Sequence, residues 1–219
     1  MSYDTFSVRA AWYGAVRNFV IIFSLISFTA TGQPDLVPAA YLMVGLGVCL
    51  SKVCEAPVRK LCGMLSRKTA RYSAGDLYQP VCICLCCAGL ILMIFFRVAL
   101  YMAGILLIVT FAAMGNAAST RSFAELPFST PEEKHLIRAR FYGMGAIIQQ
   151  GFLMITLSLL SPASENSPAA ALQDYTLAQG SQANETVYRA TLAVCASALV
   201  LCGIAAIFYR GRKPSKEQV

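Results

Sequence analysis

Glu55 and Arg59 stand four residues apart in an apolar stretch. On a helix that spacing puts both on one face, where they can pair directly. Two carboxylates so placed would repel unless a cation or proton joined them; a guanidinium in one place supplies the positive charge from within the chain. The pair reads either as a structural ion pair or as a contact to substrate. Arg17, about one turn past Trp12, also has two readings. Its stem can carry the charge back to the membrane surface, or the guanidinium faces an interior cavity and meets an anion or Glu55, since ionisable residues within spans mark functional sites. Cys82 and Cys86 share one helix face and Cys84 and Cys87 another. With no histidine or carboxylate nearby to complete a metal shell, they read as small apolar packing residues or, close to the inner surface, as lipidation sites. His135 is the single histidine and supports no catalytic triad. Asn184-Glu185-Thr186 is a glycosylation sequon. Neither a phosphate loop nor a dinucleotide fingerprint occurs, so enzyme chemistry, a cofactor and a metal are not expected.

The elements that hold these residues follow from composition. Hydrophobic residues make up 57% of the 219 positions and charged residues 13%, where soluble domains carry about 25% charge. The bilayer is the solvent such a chain needs. A net charge of +7 does not point to nucleic acid, because the basic residues lie between apolar runs instead of along a stripe. No basic leader and cleavage site precede the first apolar run. The nine cysteines lie in or beside apolar runs, which is not a secreted disulfide framework. Six stretches reach the roughly 20 apolar residues a span requires: 12–31, 37–61, 78–96, 98–116, 139–161 and 188–209. The expected class is an all-α membrane protein of one six-helix domain, 1–219, with an outer loop at 163–187 and a basic cytoplasmic tail at 210–219. With both termini cytoplasmic, 16 of the 18 Lys and Arg lie inside and only Arg97 and Arg189 outside, as the positive-inside rule demands. Thr130, Pro131, Glu132 and Glu133 read as a helix start, opening a short amphipathic helix to Arg140 along the inner surface. Trp12, Tyr13, Tyr101, Tyr188 and Tyr209 fall near span ends, where aromatic belts sit.

Three stretches resemble one family. Tyr13-Gly14-Ala15-Val16-Arg17-Asn18 is similar to a first-helix pattern Tyr-Gly-x-Gly-Asp. Glu55-Ala56-Pro57-Val58-Arg59-Lys60, with Gly63, Arg67, Lys68 and Arg71, resembles Asp-Ala-x-x-Asp-Pro-x-x-Gly-x-x-Ser-Asp-Arg-Thr-x-x-Arg. Phe123-Ala124-Glu125-Leu126, then Pro131-Glu132-Glu133-Lys134 and Arg138 or Arg140, resembles the acidic and basic stretch that enters a fifth helix. Together they look like the amino-terminal half of a major facilitator superfamily transporter, of the glycoside–pentoside–hexuronide cation symporter type to which the melibiose carrier belongs. The resemblance implies a substrate site at Arg17, Glu55 and Arg59 and an inner-loop gate at Gly63, Arg67, Lys68 and Arg71. It also implies a loss. The family's first-helix aspartate holds sugar and its two second-helix carboxylates hold Na⁺ or H⁺, whereas Arg17, Arg59 and Arg67 here occupy three of four acidic slots. No Na⁺ site is expected.

The resemblance covers half a transporter, whose substrate lies between two six-helix halves. Three roles follow: a homodimer that rebuilds the two-half cavity for a small anionic or neutral solute, one part of a split transporter, or a non-transporting subunit or assembly factor of a larger membrane complex.

Overall fold

A computed structural model of the chain describes residues 3–69, 74–124, 130–160 and 182–209, and these form six α-helices. They are α1 (Tyr3–Ala30), α2 (Leu36–Thr69), α3 (Ala74–Ile94), α4 (Val98–Ala124), α5 (Pro131–Leu160) and α6 (Gln182–Phe208). Every one contains a stretch long and apolar enough to cross a membrane. The protein is an all-helical, multi-pass membrane protein.

Local chemistry sets the helix ends. Gly32 has φ 72° and closes α1: the Gln33 N–H donates to the Phe28 carbonyl at 2.8 Å and the Gly32 N–H to the Thr29 carbonyl at 3.3 Å. This paired pattern needs a left-handed residue, which glycine adopts without a Cβ penalty. Between α3 and α4 the chain reverses within Phe95–Arg97, with Phe96 at φ 50° and its ring edge-on to Tyr101 at 5.9 Å. Thr130 caps α5 reciprocally: the Glu133 N–H donates to Thr130 Oγ1 at 3.3 Å and the Thr130 N–H to Glu133 Oε2 at 3.1 Å.

Two expectations are corrected here. No separate surface helix precedes the fifth span; α5 runs unbroken from Pro131 through Arg140 into the membrane, because Phe141 and Tyr142 follow Arg140 with no proline to stop the ladder. Nor do four of the five aromatic residues form a belt. α1 starts at Tyr3, well before residue 12, so Trp12 and Tyr13 fall inside the bundle, and Tyr101 and Tyr188 are buried too. The Trp12 indole N–H donates to the Leu199 carbonyl of α6 at 2.8 Å. Only Tyr209 remains exposed. α6 begins inside the expected 163–187 loop; residues 161–181, the tail and Arg71 lie outside the described residues.

The helices pair by a rule. α1 packs along α5, and α4 likewise along α2. α3 packs on α4, and α6 on α1. α2 touches α3, and α5 touches α6; α1 touches α2, and α4 touches α5; α1–α4 and α3–α6 map onto themselves. Exchanging α1–α3 for α4–α6 therefore maps the pairing onto itself. Three helices is an odd number of crossings, so two such units in one chain must lie in opposite senses across the membrane. The core gathers Trp12, Val16, Phe19 and Phe23 of α1 around Leu90, Ile105, Ile108, Leu192 and Cys195. α1 is the most buried span, at 61%, and α2 and α5 are the least, at 17% and 28%. α2 and α5, partners under the exchange, thus turn most of their apolar surface outward.

Candidate functional site

The charged and polar residues gather where α1 and α5 begin and α4 ends. Two glycines set the distance between α1 and α5. A Cβ on Gly145 would lie 1.8 Å from the Ala11 carbonyl oxygen, and one on Gly14 would lie 2.1 Å from that of Tyr142. The two backbones are in contact, which only residues without a side chain allow. One turn along, the Asn18 amide donates to Gln149 Oε1 at 3.2 Å and to the Ala146 carbonyl at 3.3 Å. This crossing fixes Arg17, which follows Gly14, against Arg138 and Tyr142, which precede Gly145.

α4 is tied to the same place through a buried polar relay. The Tyr13 hydroxyl donates to Gln79 Oε1 at 2.9 Å, and Gln79 Nε2 donates to the Gly115 carbonyl at 2.8 Å. A Cβ on Gly115 would meet the Tyr13 hydroxyl oxygen at 2.0 Å. Gln79 was not singled out from the sequence, although a lone amide in an apolar run is a signal of this kind. Beside Gly115, Asn116 opens onto a cavity of about 240 Å³ lined by Arg17, Asn116, His135, Arg138, Ala139 and Tyr142. His135, Arg138 and Tyr142 sit at spacings of three and four along α5 and so share a face.

Glu55 and Arg59 do pair, with Arg59 Nη2 at 3.0 Å and Nε at 3.1 Å from Glu55 Oε1. A third member was missed: Arg121 of α4 also bonds Glu55 Oε1, a long-range partner that no sequence spacing announces. The Arg59 guanidinium lies 5.4 Å from the centre of the Tyr78 ring of α3, in reach of a cation–π contact. The group therefore joins α2, α3 and α4. Glu55 is the nineteenth residue beyond Leu36, about 28 Å along the helix, close to the roughly 30 Å thickness of the hydrocarbon layer. Both arginine side chains are half exposed, at 53% and 52%.

The residues read from the sequence thus divide. Arg17 lines the cavity, while Glu55 and Arg59 belong to the separate ion-pair group. In the inner-loop stretch, Gly63 has open space around it and Arg67 is exposed, whereas the Lys68 side chain and all of Arg71 lie outside the described residues. Among the described residues no three His, Cys, Asp or Glu side chains gather as metal ligands. Cys82 packs with Cys62, Tyr78 and Met114, and Cys86 with the main core. Compared with protein-family models, with curated proteins and with solved structures, the chain matches none, and its site is read from its own geometry.

Proposed function

We propose that this chain is a half-size, major-facilitator-like transport protein with both termini cytoplasmic, working as a dimer or with a second six-helix half, and that it has lost its family's cation site. The observation that carries the reading is the pairing rule, in which α1–α3 and α4–α6 exchange. Inverted three-helix repeats of this kind build each half of a facilitator-type transporter, whose substrate site lies between halves. The low burial of α2 and α5 agrees with it, since a second half has an apolar face to cover. The cation site is degraded on this reading because Arg59 and Arg121 already neutralise Glu55.

A second reading has its own support. The same outward faces of α2 and α5 suit a fixed partner equally well, which would make the chain a non-transporting subunit or assembly factor of a larger complex. Native mass measurement after mild extraction separates the two. A homodimer, or a one-to-one pair with another six-helix chain, that takes up solute in vesicles supports transport. Stable recovery in a large complex, with no uptake by the isolated chain, supports the subunit.

A further inference from the structure

The cavity between α1, α4 and α5 differs from the ion-paired places in the bundle. Arg59, Arg121 and Arg189 each hold a carboxylate. Arg17 and Arg138 face one cavity together with His135, and among the described residues no carboxylate lines it. Neither guanidinium can shed its charge, so the two repel across that space until an anion enters. Tyr142 lines the same space. Asn116 is a further lining residue, and its side-chain oxygen is buried and has no hydrogen-bond partner, an uncommon state for a buried acceptor. The walls are already fixed by the Gly14 and Gly145 contacts between α1 and α5 and by Gly115 against Tyr13. At about 240 Å³ the space is smaller than the roughly 300–1,000 Å³ clefts that enclose drug-sized ligands.

The geometry points to a binding site for a small oxyanion of the phosphate class, either free in the cytoplasm or carried on a lipid headgroup. Arg17 and Arg138 take its oxygens by paired N–H bonds, the geometry at which guanidinium excels. Turned toward the cavity, the Asn116 amide meets a protonated phosphate oxygen or a hydroxyl of the headgroup with the Oδ1 that now has no partner. Binding does not rest on the transport reading, because a membrane subunit could use the same site to hold a lipid.

The test uses the purified full chain. Its thermal unfolding in detergent is followed against inorganic phosphate, with chloride at matched ionic strength as the blank. In parallel, native mass spectra record adducts after incubation with phosphatidylglycerol or phosphatidylcholine vesicles. A saturable phosphate response that Arg17→Gln and Arg138→Gln each weaken at least tenfold, with Arg67→Gln unchanged, supports a free anion. A phosphatidylglycerol adduct lost in the same two variants, without a phosphate response, supports the headgroup. Ala139→Glu places a carboxylate inside the cavity and should abolish either response while leaving both guanidiniums paired; it decides the matter if the arginine variants fail to fold. The inference is overturned by the absence of both saturable responses in the wild type, by equal loss in Arg67→Gln, or by binding that survives Ala139→Glu.

Discussion

One helix contains its own control for the α1–α5 contact. Gly143, Gly145 and Gly151 all lie in α5, and a Cβ would meet nothing within 4 Å at Gly143 or Gly151 but would lie 1.8 Å from the Ala11 carbonyl oxygen at Gly145. Alanine is favoured over glycine inside a helix by about 1 kcal/mol, so Gly143→Ala and Gly151→Ala should be neutral or stabilising by about that amount. At Gly145 the same methyl must retreat to at least 3.0 Å, so α1 and α5 separate by about 1.2 Å (3.0 − 1.8). The obstacle is backbone and cannot rotate away. Overpacking of this kind costs about 1–3 kcal/mol, and the stretched Asn18–Gln149 bond adds about 0.6 kcal/mol, the average for polar contacts between membrane helices. Gly145→Ala should therefore be destabilised by about 2–4 kcal/mol relative to Gly143→Ala. Thermal unfolding in detergent, read by helical circular dichroism, would show a drop of several degrees in one variant and none in the other two. Equal behaviour of the three alanine variants would refute the backbone contact.

Three further outcomes are expected. Glu55→Gln should be the most destabilising change in its group, because it strands two guanidiniums, while Arg59→Gln and Arg121→Gln each cost about 0.2–1 kcal/mol as half-exposed pairs; urea titration in detergent showing Arg59→Gln as costly as Glu55→Gln would count against the three-membered arrangement. Reconstituted protein should show no saturable Na⁺ effect on stability or solute uptake, and a Na⁺ response that vanishes in Glu55→Gln would restore the cation site. In a background without native cysteines, Gln33→Cys and Arg67→Cys should be labelled from opposite sides of the membrane, and same-side labelling would remove the six-span topology.

What could be read in the sequence was what repeats along it. Apolar runs of span length are a one-dimensional property, so the six helices were legible, as was the Thr130 cap, whose chemistry is local. Helix ends were less so: hydropathy marks where lipid contact begins, and α1 and α5 continue past that point because Phe6 and Ala10 pack against Phe123 at the bundle end. The Glu55–Arg59 pair was legible by its spacing of four. Arg121 was not, since the loop and helices between it and Glu55 carry no register. Sequence alone allows Arg17 both the membrane surface and a cavity, because its neighbours Asn116, Arg138 and Tyr142 come from helices whose rotation only packing decides.

The Trp12–Leu199 bond joins positions 187 residues apart, and that separation has a consequence for how the protein is made. At ordinary synthesis rates of roughly 5–20 residues per second, about 10–40 s pass between the emergence of the two. Through that interval α1 is in the bilayer but not completed. Its indole N–H waits for α6, its Asn18 amide for α5, and the notch at Gly14 stands open to lipid. Chains cut short before residue 182 would hold α5 in place but keep the indole N–H bare, so a ribosome stalled there leaves five helices in the bilayer with the α6 side of the bundle open.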